Sequence, residues 1–261
     1  MLFAWLRNRR RREILETPFD PRWQRAIEDN VAHWNWLSDD EREHLREMVQ
    51  VFIAEKNWEG AGGLEMTPEI QATIAADACL LVLSLEHEFY RGVESIVVYP
   101  STVRPPPRRL GTFEVVSAPL EVNLPRLGEA WKGGPVILTW DAVLRGTRNA
   151  EDGHNVVFHE FAHKLDMLTG DADGVPPLTD AVTHQRWVEA LQAEYDALKA
   201  DADRGRRSFL DRYALTNGAE FFAVATEHFF EQPRKMKRDH AAMYEVLSAF
   251  YRQDPASRRR R

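Results

Sequence analysis

The stretch HNVVFHEFAHKLDML, His154 to Leu168, sets His159, Glu160, His163 and Asp166 in a run that is otherwise apolar and rich in helix formers. Val156, Val157, Phe158, Phe161, Ala162, Leu165 and Leu168 surround the polar residues on nearly every side, which predicts a helix inside the core. Buried polar groups need partners. His159 and His163 are four apart, share a helix face and can reach one ion. Imidazole nitrogens suit zinc. Glu160 is turned about 100° from His159 by helix geometry. That sets it beside an ion rather than on it, where a base for metal-activated water belongs. A cation in place of water explains polar groups at this depth.

Two histidines do not complete a catalytic zinc site, which has three protein ligands and one open position. Two acids compete for the third place. Glu220 opens the apolar run NGAEFFAVATEHFF, Asn217 to Phe230. Its position also fits a capping box with Asn217. Asp166, three after His163, is the rival; it can instead orient His163 from behind. Glu227 shares the face of Glu220 and is a weaker ligand candidate, with a packing salt bridge as its plain alternative. Tyr213 lies seven residues before Glu220, and a phenol there suits donation to an oxyanion. An ordinary half-buried tyrosine is the other reading.

The rest of the chain is legible in outline. Residues 1–16 read as a basic tail or short helix, and residues 17–251 as one domain with a helical part to 92, a sheet over 93–145 and a helical part from 146. Pro21 opens a helix through Trp34. Ser38 and Glu41 form a capping-box pattern before Leu45, Met48, Val49, Phe52 and Ile53, and GAGG at 60–63 breaks that helix. Thr67-Pro68 starts another, running to about Glu88. SIVVYP, TFEVVSAP and GPVILTW read as strands of a small mixed sheet, with RPPPRR as an extended loop. Asn155 is the expected cap of the His159 helix and Gly170 its stop. A long helix follows from Thr179, another from Asn217 to Phe230, and a last one from Pro233 to about Tyr251. The class is α+β, mostly helical.

A net charge of −7 argues against a body built to coat nucleic acid. The arginines at 7–12 and 258–261 read as solvated termini, with the segment from 252 a basic tail. Cys79 is the only cysteine, so no internal disulfide forms, in keeping with a reducing cytoplasm. No run approaches the roughly 18 apolar residues of a spanning helix, and no stable membrane association is expected.

HEFAHKLDMLTGDADGVPPL together with YALTNGAEFFAVATEHFF resembles the Mlc titration factor A (MtfA) family of bacterial zinc peptidases. The likeness is strongest from Val136 to Phe230 and extends loosely to RWQ at Trp23 and the VVYP strand. The zinc-motif stretch is also similar to the catalytic domain of anthrax lethal factor. The resemblance implies a zincin-like fold with the sheet beside the active-site helix. It implies one Zn2+ held by His159, His163 and Glu220, with Glu160 as base and Tyr213 as transition-state donor. Asp166 then becomes a supporting acid. It further implies aminopeptidase-type hydrolysis of peptides. It also implies binding of an Mlc-like transcriptional repressor that governs glucose phosphotransferase genes. The alternative is a regulator-sequestering protein whose peptidase activity is auxiliary.

Overall fold

A computed structural model describes residues 2–85, 90–101 and 134–258. Its architecture is α+β and mostly helical, with a small sheet beside the histidine helix. The basic N-terminal segment forms α1 (Leu2–Leu15), and Arg11 ties it to the body through two bonds to Glu55, at 2.6 and 2.9 Å. Helix α2 (Pro21–Asn30) opens on Pro21 as expected but stops short of Trp34, giving way to a 3-10 turn over Ala32–Trp36. The break falls at Asn30, whose buried side chain donates to Glu69 and Thr73 and accepts from Arg148. Helix α3 (Asp39–Glu55) carries the full Ser38–Glu41 capping box.

Strand β1 (Asn57–Gly60) was not foreseen, and α4 (Pro68–Leu81) ends before the expected Glu88. Strands β2 (Ser95–Tyr99) and β3 (Val136–Thr139) complete the order β1-β2-β3. The sheet was expected to be mixed, but all three described strands run parallel, with Trp58 opposite Ile96 and Ile96 opposite Val136. The TFEVVSAP and RPPPRR segments lie outside the described residues. Trp140, expected to end a strand, instead begins helix α5 (Trp140–Arg148). Then come α6 (Val156–Asp166), α7 (Ala181–Asp203), α8 (Gly218–Glu231), α9 (Pro233–Asp239) and α10 (Ala241–Tyr251). The last two replace one expected helix. His240 breaks it, with its Nδ1 2.8 Å from Glu194 and its ring stacked on Phe209. The basic C-terminal segment is not a free tail as far as Arg258. Gln253 and Pro255 are buried, and Arg258 bonds Glu41 at 2.7 Å.

Helix α6 is the centre of this packing. Val157, Phe158, Phe161, Ala162 and Leu165 are fully buried. Phe158 lies between His33 and Phe230, and Phe161 between Tyr90 and Phe52. Each such phenylalanine contributes about 1.5–3 kcal/mol through burial. Helices α4, α5 and α8 and strand β3 all pack on α6. Lys164 donates to the Gly134 carbonyl at 3.0 Å, fixing β3 beside the helix.

The turn that leads into α6 is held from below by acids. Asn155 caps α6 through Val157 and Phe158, as expected, and its amide donates to Asp77 of α4. The backbone N–H of Asn155 donates to Glu227, and those of Gly153 and His154 to Glu231. These bonds orient the helix start, but they bury carboxyls. Burial pushes Glu231 up to about 10, Asp152 adding to the effect and the Gly153 N–H opposing it. Burial likewise takes Asp77 to about 7 against the bond from Asn155. Both acids have raised folded values, so the fold holds protons that the unfolded chain releases. Their contribution is complete below the ordinary carboxyl range and is lost as pH rises, for Glu231 between 4.5 and about 10. Glu231→Gln mimics the protonated acid. Its Tm, followed by circular dichroism, should exceed wild type increasingly from mildly acidic to alkaline pH. The limiting slope is about 1.4 kcal/mol per pH unit. A uniform loss of Tm across that range would show that Glu231 is ionised in the fold.

Candidate metal centre

One turn of α6 separates His159 from His163, so their Nε2 atoms face each other at 3.2 Å. Helix α8 packs across α6 and brings Glu220 in its first turn to the same point. Glu220 Oε2 lies 3.0 Å from His159 Nε2 and 3.4 Å from His163 Nε2. Asn217 caps α8 by accepting from the Glu220 N–H. The Glu220 side chain does not return to that cap. It turns to the imidazoles. Glu220, His163 and Asp166 are buried, whereas His159 and Glu160 are half-buried at the mouth.

Glu227, two turns along α8, reaches the other side of His159. Its Oε1 lies 2.8 Å from His159 Nδ1, while Oε2 accepts from the Asn155 N–H at 2.6 Å. A carboxylate at Nδ1 holds the proton there and leaves Nε2 as a lone pair. That lone pair faces a second imidazole and a carboxylate, an arrangement of acceptors that requires a cation or a proton. The three ligand atoms lie within 4.8 Å of one another. The closest separations, 3.0, 3.2 and 3.4 Å, match the roughly 3.3 Å edge of a tetrahedron with 2.0–2.1 Å metal bonds. The donor set therefore fits a metal ion.

The local electrostatics favour positive charge. Burial lowers the basicity of His159, but Glu220 and Glu227 outweigh it and raise the group to about 10. Burial raises Glu220, yet the two imidazoles bring it down to about 2. A divalent cation meets the same preference and competes with protons for it. Glu160 lies beside the triangle and makes no hydrogen bond or ion pair among the described residues. Burial raises its carboxyl above the ordinary range, opposed by His159 and His163.

The remaining sequence candidates take different places. Asp166 accepts from the Gly174 N–H with both oxygens, at 3.0 and 2.9 Å, and makes no hydrogen bond to His163 among the described residues. It clamps the DGVPP turn, whose Gly174 and α8's Gly218 meet backbone to backbone. A Cβ on Gly174 would lie 2.4 Å from the Gly218 carbonyl oxygen, so only glycine permits the contact. Asp166 thus steadies the start of α8, and with it Glu220. Tyr213 sits on a 3-10 turn capped by Asp211, half exposed, its ring centroid 6.0 Å from that of His159. Glu227 is where sequence reading placed the residue but not its contact. Its signal was the seven-residue spacing from Glu220.

A core helix offering two imidazoles, a facing carboxylate and a free acid beside them is the plan of a metallopeptidase. The profile of the glucose-regulated metallo-peptidase M90 family matches residues 5–252, and the chain belongs to that family. It is 35% identical to Mlc titration factor A of Klebsiella pneumoniae, over 91% of this chain and 88% of that protein. It is 30% identical to Mlc titration factor A of Yersinia pestis, over 99% and 92%. An uncharacterized protein of a Synechocystis strain is 34% identical over 94% and 89%. No helix among the described residues is long and apolar enough to cross a membrane.

The contacts separate the two supporting acids. Glu227→Gln should weaken metal binding about 10- to 100-fold, measured by competition with a chelator. Asp166→Asn should lower Tm and leave metal stoichiometry near one. Wild-type affinity in Glu227→Gln would remove its orienting role.

Proposed function

We propose that this protein is a zinc-dependent peptidase of the aminopeptidase type, with His159, His163 and Glu220 as the metal ligands. The observation that carries the reading is the triangle of facing acceptors, with one imidazole locked from behind by Glu227. Zinc, when bound, supplies a Lewis acid that acidifies water and polarises the peptide carbonyl. Glu160, unpaired and raised by burial, takes the proton from water as the carbonyl is attacked. It then delivers that proton to the leaving amine. Tyr213 stands at the rim with a phenol to donate to the oxygen that gains charge. It is half exposed, so an arriving substrate can reach it. Strand β3, at the edge of the described sheet and fixed to α6 by Lys164, suits edge pairing with an extended peptide.

The relatives named Mlc titration factor A support a second part of the reading: this chain also binds an Mlc-like repressor and so influences glucose phosphotransferase genes. The natural setting is the cytoplasm, where such a repressor meets DNA. The alternative, a sequestering protein with an auxiliary peptidase site, differs in which activity matters to the cell.

Glu160→Gln should cut kcat by about 10²–10⁴-fold on unblocked peptides while retaining one zinc per chain. Tyr213→Phe should lower kcat by up to about 10²-fold with KM little changed. Chelation should abolish hydrolysis and added zinc restore it. Full activity in Glu160→Gln would end the mechanism. Repressor binding that survives Glu160→Gln would show the two activities to be separable.

A further inference from the structure

Beside the metal centre lies a second cavity of about 360 Å3, lined by His159, Glu227, Asp152 and His154. Asp152 and His154 also form one wall of a larger cavity of about 620 Å3. Its other walls carry Arg206, Arg207, Arg212 and Lys235. None of these four cations is paired with a carboxylate among the described residues. Several arginines elsewhere do have such a partner, Arg22 with Asp20, Arg145 with Asp141 and Arg238 with Asp239, and what sets these four cations apart is that they line one cavity. Arg212 donates only to the Arg206 carbonyl, and Lys235 rests over the Phe209 ring at 4.9 Å.

The two carboxylates in the cavity wall are already engaged. Asp211 caps the Tyr213 turn, and Asp152 accepts from the His154 N–H and the Asn149 amide. The walls set four cations against the two carboxylates of Asp152 and Asp211, a local positive excess in a chain of net charge −7 that an anion would satisfy. The floor is firm. Phe209 is held between His228 and His240, and His228 bonds the Val224 carbonyl.

We propose that this basic cavity is a subsite for a carboxylate of the peptide substrate, and so sets the enzyme's preference for acidic peptides. This rests on the peptidase reading and names its substrate class. From Glu220 to His228, which lines the cavity, α8 advances eight residues, or about 12 Å. An extended peptide covers that distance in about three to four residues. The carboxylate is therefore a Glu or Asp side chain, or the free C-terminus, three to four residues from the bond cleaved. Guanidinium groups hold carboxylates through paired, charge-assisted hydrogen bonds.

The test uses the full-length zinc-loaded protein and peptides that differ only in Glu against Gln at the third and fourth positions from the cleaved bond. Each is made with a free and an amidated C-terminus. Wild type should show kcat/KM about tenfold higher for the acidic peptide, expressed mainly in KM and shrinking as salt is raised. Amidation should remove the gain where the terminal carboxylate is the ligand. The double variant Arg207→Glu, Lys235→Glu, both exposed residues, should lose or reverse the preference while cleaving the neutral peptide normally. Equal rates for Glu and Gln peptides, or a preference that survives charge reversal, would overturn the proposal. Binding of the fluorescently labelled peptides to Glu160→Gln protein separates the two readings. Charge-selective binding without wild-type hydrolysis refutes only the peptidase reading. Hydrolysis without charge selectivity refutes only the subsite.

Discussion

The meeting of three acceptors at the crossing of α6 and α8 is the constraint from which the rest follows. Two imidazole nitrogens and a carboxylate oxygen converge in a largely buried place, each within 3.4 Å of another. Left alone, such a cluster would carry unsatisfied lone pairs at a cost of about 1–3 kcal/mol apiece. A cation resolves it, and the protein is built to keep the cluster together until one is bound. Asn155 fixes where α6 begins, Asn217 fixes where α8 begins, and the Asp166–Gly174 clamp and the Glu227 bridge set the distance between them.

That solution places several carboxyl groups along one helix interface: Glu220, Glu227 and Glu231 on α8, and Asp77 on α4. Their roles divide by what each touches. Glu220 and Glu227 face imidazole, and the imidazoles hold Glu220 well below the ordinary carboxyl range. Glu231 and Asp77 face backbone N–H groups or an amide, and burial drives both toward the neutral form. Stability and function therefore draw on the same interface with opposite charge requirements, separated by about one helical turn from Glu227 to Glu231.

Much of this was legible in the sequence, and the limits have physical causes. The start of α6 was readable because Asn155 is a local signal, and the histidine face because helix periodicity fixes it; the helix stops at Asp166, and Gly170, the expected stop, ends instead the 3-10 turn Met167–Thr169. The contact made by Glu227 was not readable, since it depends on how α8 is rotated against α6. Asp166 resembled an acid behind His163, but the turn eight residues on brought an N–H to it first. Strand β1 has no β-branched residue; it is a strand because β2 offers its backbone partners. The α9–α10 break arises from His240 docking on Glu194 and Phe209, contacts made across the fold.

The charge distribution completes the logic of the cleft. The chain is acidic overall, and three of its acids, Glu160, Glu220 and Glu227, stand at the metal centre. Arg206, Arg207 and Arg212, on the loop that leads into the Tyr213 turn, and Lys235 of α9 gather at the far end of the adjoining cavity. Because Arg206 to Arg212 lead straight into the Tyr213 turn, an anion held there would also steady the phenol. On the two proposals together, the loop carries the substrate preference and the turn it leads into carries the proposed donor, Tyr213.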